Sequence, residues 1–138
     1  MTTSTASKDA IFLNSTKNPL ERITDADTTV VQQIFTAGAD GGAVTELTAT
    51  STDTVARIIV IGINNGTSSF IIGEVTVPAG AGTDGSTAPK TLLDPVVLPI
   101  IDADNSLVLQ KTFILEVNAK VTLTAGKVID IAGVAGDY

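Results

Sequence analysis

The stretch Val55-Ala56-Arg57-Ile58-Ile59-Val60-Ile61-Gly62-Ile63, then Asn64-Asn65-Gly66-Thr67, then Ser68-Ser69-Phe70-Ile71-Ile72-Gly73-Glu74-Val75-Thr76-Val77, decides how the rest of this chain is read. Val55 to Ile63 is almost wholly apolar and β-branched, so it reads as a central strand covered on both faces or lying in a sandwich core. Asn65-Gly66 favours a type I′ turn, whose twist matches the flanking strands. Ser68 to Val77 is therefore expected to return antiparallel to Val55 to Ile63.

Outward from this hairpin, β-type segments alternate with turn clusters at the spacing of sandwiches and barrels. Upstream, Val30 to Thr36 reads as a strand ended by Ala37 to Gly42, whose Gly41-Gly42 pair permits positive φ. Ala43 to Thr50 alternates Val44, Glu46 and Thr48 with Thr45, Leu47 and Ala49, the pattern of a half-buried strand.

Downstream, Pro78 to Lys90 is Gly-rich and reads as a surface loop, and Pro95 and Pro99 demote Thr91 to Ile101 to an edge strand or extended connection. Asp102 to Asn105 reads as a turn and Ser106 to Leu109 as a short strand. Thr112 to Thr124 puts Phe113, Leu115, Val117, Ala119, Val121 and Leu123 on one face. Unbroken it would extend about 43 Å, so a bend or bulge is expected within it. Val128 to Ala132 is the closing strand before a Gly-rich end. Only Lys17 to Asp27, with Pro19 at its start, has the makings of a short helix.

These segments predict an all-β chain: an antiparallel β-sandwich, jelly-roll or immunoglobulin-like, with an extended N-terminal arm. Residues 1–22 form the expected arm and residues 23–138 a single sandwich domain. Within the arm, Ala10, Ile11, Phe12 and Leu13 make an apolar patch suited to contact with a partner.

Composition narrows the chemistry. The 138 residues contain no Cys and no His, which removes disulfides, zinc-thiolate sites and His-based nucleophile activation. A formal charge of −7 opposes binding to nucleic acid or to anionic membranes. No apolar run reaches the ~18 residues of a spanning helix, and Met1 to Lys8 has no apolar signal segment, so a soluble chain is expected.

Two Asp-rich turns, Ile23 to Thr29 and Ile101 to Ser106, echo the opening of calcium loops. Both lack the loop Gly and the closing Glu, so the Asp25/Asp27 and Asp102/Asp104 pairs are read as turn-formers. Glu46, Glu74 and Glu116 are the acids available to a carboxylate dyad, but each sits in a strand where an outward, solvated side chain is expected. With no Trp and one terminal Tyr, stacking platforms for sugars are missing, and Phe35, Phe70 and Phe113 are read as core. Gly80 to Gly85 lacks the Gly-Lys-Ser/Thr and following helix of a phosphate loop. No catalytic, cofactor-binding or metal-binding residue is expected.

Thr52-Asp53-Thr54-Val55-Ala56 before an apolar strand, Ile72-Gly73-Glu74-Val75-Thr76-Val77-Pro78-Ala79-Gly80, and a closing Thr124-Ala125-Gly126-Lys127 strand ending Gly136-Asp137-Tyr138 resemble the small β-sandwich capsid decoration (cement) proteins of tailed bacteriophages. The resemblance spans Gly38 to Tyr138 as a pattern of strands and turns. It implies a non-enzymatic virion protein, made in the host cytoplasm and bound to the outer surface of the capsid, where it braces interfaces between major capsid protein subunits. Its implied partners are that capsid protein and its own copies, as a dimer or trimer. A tail or fibre module recognising a host surface is the alternative.

Overall fold

The hairpin forms as β5 (Arg57–Asn64) and β6 (Ser69–Val77), paired antiparallel from Arg57↔Val77 to Asn64↔Ser69. In this computed structural model, which describes residues 14–102 and 104–138, the remaining strands wrap around that hairpin in nested pairs. β4 (Gly42–Ser51) pairs with β7 (Lys90–Thr91) and β8 (Leu107–Leu109), and β3 (Gln32–Thr36) pairs with β9 (Ile114–Ala119). β1 (Ser15–Lys17) and β2 (Leu20–Thr24) both pair with β10 (Val128–Asp137).

Two antiparallel sheets result: β3-β9-β5-β6, and β1/β2-β10-β4-β7/β8. From β2 to β5 the chain changes sheet at every step, so one long hairpin is rolled up on itself. That winding is a jelly roll. It resolves the choice left open by the sequence, because an immunoglobulin-like sandwich keeps its first two strands in one sheet.

The core lies between the sheets. Ile23, Val44, Leu47, Ile129 and Ile131 face Phe35, Ile59, Ile61, Leu115 and Val117, all buried. Truncating a buried Ile or Leu here to Ala is expected to cost about 2–5 kcal/mol. Between β6 and the second sheet the flank is closed by Leu92, Leu93, Leu98 and Ile101. Leu98 occupies the space that a side chain at Gly73 would need, which explains a glycine in the middle of β6.

Several local expectations are corrected. Lys17 to Asp27 is not a helix: Leu20–Thr24 takes the free edge of β10, and only a 3-10 turn, Asp25–Asp27, follows. There the Asp27 carboxylate accepts the Thr24 N–H at 2.7 Å. In the segment read as an arm, Ser15–Lys17 and Leu20–Thr24 pair with β10, while Ala10, Ile11, Phe12 and Leu13 lie outside the described residues.

The 65–68 turn is not type I′, which needs two positive φ values; Gly66 alone has one, at 96°. Instead the Asn65 Oδ1 accepts N–H groups from both Thr67 and Ser68 at 2.9 Å. In β4, strict alternation would split Val44 from Leu47, yet both are buried. Thr45 is an extra residue in the β10 register, and that bulge returns Leu47 to the core.

The long segment after Thr112 is a strand only to Ala119, beyond which Val121 is exposed and Leu123 turns back into the core. Val30 and Val31 precede β3 and are exposed. Beyond Thr91, the segment to Ile101 is a turn-rich connection whose Leu92, Leu93, Leu98 and Ile101 plug the flank beside β6 while Val96, Val97 and Ile100 stay exposed. β10 runs on to Asp137 with its glycines in close backbone contact with β4: a Cβ at Gly133 would meet the Glu46 carbonyl, and one at Gly42 would meet the Gly136 carbonyl. Phe35 is core and Phe113 packs against it, but Phe70 is 55% exposed.

Candidate functional site

The acidic residues singled out in the sequence are dispersed by the fold. Glu46 stands exposed on β4, whereas Glu74 and Glu116 lie on β6 and β9 of the other sheet. Glu74 accepts a charge-assisted hydrogen bond from the Lys120 ammonium at 2.9 Å. Glu116, expected to be solvated, is only 5% exposed. It accepts from the Ser69 hydroxyl at 2.6 Å and the Asn64 amide at 3.3 Å, which ties the hairpin tip to β9. None of these acids faces another across a cleft.

The depression beside Glu46 holds about 330 Å³ and is lined by Thr45, Glu46, Thr48, Thr91, Asp104 and Asn105. It offers carboxylates and hydroxyls but no cation or aromatic face to orient a substrate. The two Asp-rich turns use their carboxylates internally: Asp102 accepts from the N–H groups of Asp104 and Ser106 at 3.0 Å, and Asp27 caps Thr24. Among the described residues, no group of three acidic side chains gathers where a metal ion could be held. No helix among them is long and apolar enough to cross a membrane.

Asp53 is more deeply buried than Glu116. Asp53 accepts from the Thr124 N–H at 3.0 Å, the Thr124 hydroxyl at 2.8 Å, the Arg57 guanidinium at 2.9 Å and the Val55 N–H at 3.0 Å. Burial alone would raise its pKa, but the Thr124, Arg57 and Val55 donors outweigh that and hold the carboxyl well below the usual range. Every lone pair is engaged, so the group locks residues 52–57 to residues 120–124. The sequence offered no signal for this beyond Asp53 and Arg57 lying close together, since Thr124 is distant in the chain.

The surface that the fold leaves unfinished is the outer edge of β6. Other sheet edges are blunted: β7 and β8 are two and three residues long, β1 is three, β2 carries Glu21 and Arg22, and β3 is five residues with a register shift. β6 is nine residues long, and Ser69 to Gly73 carries no charge. Among the described residues, no backbone group outside β5 hydrogen-bonds to that strand. Ile71 is 72% exposed beside Phe70, and the adjoining segment at Gly73 adds exposed Val96, Val97 and Ile100.

At the same end of the sandwich the N-terminal chain joins the fold: the Asn14 N–H donates to the Asp137 carbonyl at 2.7 Å. Lys17 holds the Asp137 carboxylate at 2.8 Å and, with the Gly38 N–H, keeps that carboxyl below its ordinary pKa.

No protein family matches the chain, and no curated protein sequence matches it. Among solved structures it is similar to a chain from the acid-stable capsid of Helicobacter pylori bacteriophage KHP30, with a TM-score of 0.58 and 9% identity over 91% of this chain and 90% of that one. A pentameric capsid protein from metagenomic phage sequences is a looser match, with a TM-score of 0.40 and 15% identity over 96% of this chain and 68% of that one. The Drosophila NLP core is equally loose, at 0.40 and 12% identity over 88% and 98%. Similarity this remote speaks for architecture rather than activity. In architecture, this chain is a jelly roll whose strands are arranged like those of a chain in a bacteriophage capsid.

Proposed function

We propose that this chain is a structural protein of a bacteriophage virion, a decoration or cement protein bound to the outer surface of the head at interfaces between major capsid protein subunits. The observation that carries the reading is the correspondence with a phage capsid chain over 91% of this chain and 90% of that one. The residue chemistry supports it. The buried carboxylates are used to lock loops together, and the chain has neither His nor Cys with which to activate a nucleophile. The reading carries no catalytic step.

Bracing a shell requires a stiff body and contacts repeated in many copies. The closed sandwich core supplies the first, and linked copies turn weak single contacts into firm attachment. The apolar residues Ala10, Ile11, Phe12 and Leu13 supply a strand able to add to an exposed sheet edge.

The test is reconstitution. Purified protein added to heads lacking it should saturate symmetry-related positions on the outer surface in particle images and raise the temperature at which heads rupture. Deleting residues 1–13 should lower that occupancy. Failure to bind heads, or binding confined to tails or host cells, would overturn the proposal.

A further inference from the structure

We propose that the uncovered edge of β6 is the docking site for residues Ala10–Leu13 of a second copy of this chain, so that neighbouring copies are linked by exchanged N-terminal strands. This deepens the assembly role above and rests on it, but it concerns only contacts between copies.

The edge selects its occupant by length, polarity and chemistry. Three successive exposed residues, Ser69, Phe70 and Ile71, open β6; beyond them the 97–98 segment packs against Gly73, and exposed Glu74 and Thr76 alternate with buried Val75 and Val77. The continuously exposed, uncharged stretch, ended by Gly73 and Glu74, is therefore about as long as the four-residue run Ala10-Ile11-Phe12-Leu13. Both sides of it are apolar, because successive side chains point to opposite faces and Phe70 and Ile71 are both exposed. An incoming strand would place its own side chains beside them while its backbone meets unpaired β6 groups, the mode in which main-chain bonds give affinity and alternate side chains give register.

Ala10–Leu13 of the same chain cannot lie along that edge. Leu13 immediately precedes Asn14, which is fixed to the last strand at Asp137, and one residue spans at most ~3.6 Å. β1 and β6 stand at opposite sides of the two sheets, roughly 14 Å apart laterally and 10 Å through the sandwich. The segment is therefore available to a neighbour and unavailable to its own β6. Because the donor patch and the acceptor edge are different surfaces, the contact either closes by reciprocal exchange in a dimer or propagates around a ring or along a row of copies.

Charge favours an arm over flush docking of two bodies. Lys8 and Asp9 balance within residues 1–13, so the net −7 resides on the remainder of the chain and the bodies repel one another. A nearly neutral apolar strand bridges them without bringing like-charged faces together.

The cysteine-free sequence makes the test direct. Full-length Phe12→Cys and Ile71→Cys proteins, mixed and oxidised, should form a disulfide joining one copy of each, identified by mass spectrometry. Phe12→Cys mixed with Val55→Cys, exposed at the opposite end, should form none. Sedimentation should show the unmodified chain as an oligomer, and Phe12→Asp and Ile71→Lys should each lower its mass to that of the monomer without lowering the melting temperature. A chain that is monomeric up to millimolar concentration overturns the inference, as does preferential Ile71→Cys self-linkage, which would mean that two β6 edges meet directly. Neither result bears on binding to heads, which a monomer can still perform, so this inference and the decoration role can fail separately.

Discussion

At the end of the sandwich where residues 52–56 and 120–127 turn, four donors converge on the buried carboxylate of Asp53, whereas at the opposite end one exposed asparagine, Asn65, closes the turn between β5 and β6. The first arrangement joins segments distant in sequence, and the Asp53 carbonyl also accepts the Gly80 N–H at 3.0 Å, which draws in a third loop. The second is local, and beneath it the Glu116 carboxylate ties Asn64 and Ser69 to β9. One end is thus built to resist motion, while the other presents a strand edge with apolar side chains on it. Rigidity and stickiness occupy different places, which suits a protein whose core must survive while its rim binds.

The sharpest way to break this contrast is at Asp53. Asp53→Ala would leave the Arg57 guanidinium, itself only 15% exposed, without its anion and the Thr124 N–H without an acceptor. Removing one member of such a buried pair is expected to cost about 3–5 kcal/mol, read as a lower midpoint in urea unfolding. A smaller loss should appear with acid. The folded carboxyl titrates below its unfolded counterpart, whose pKa is about 3.9, so its contribution is complete well above that value and is lost as pH falls through it toward the folded one. The melting-temperature gap between the unmodified chain and Asp53→Asn should be constant near neutrality and narrow below about pH 4. A gap independent of pH would mean that the carboxylate charge contributes nothing.

This contrast was only half visible in the sequence. Asn65-Gly66 between two β-rich runs announces a hairpin because the signal is local, and the runs on either side are long enough to set its register. The lock at Asp53 is not visible, because Ser51-Thr52-Asp53-Thr54 reads as an ordinary turn and its partner Thr124 is brought alongside only when the hairpin rolls up. The free edge of β6 is equally hidden: alternation assigns Phe70 to the core, and nothing in a single strand reveals that it lies outermost in its sheet. The same limit explains Glu116, whose burial depends on Gly62 opposite it and on Ser69 and Asn64 closing over it. The all-β class came from local pattern, whereas β2, read as the one possible helix, and the choice of jelly roll both required strand order.

The hairpin end should respond weakly to substitution, and the size of the response sharpens the comparison. Gly66 has φ 96° and nothing within 4 Å of the position a Cβ would take, so Gly66→Ala meets backbone strain alone. It should cost about 1–2 kcal/mol, less than Asp53→Ala, in the same urea measurement. Ile71→Lys should cost less still, within about 0.5 kcal/mol, since an exposed edge side chain loses no core contact. An edge charge also discourages strand addition, so the variant should keep the fold and lose self-association. If Ile71→Lys instead destabilised the fold as much as Gly66→Ala, the β6 rim would be part of the core's support, and the division between a locked end and a binding end would not hold.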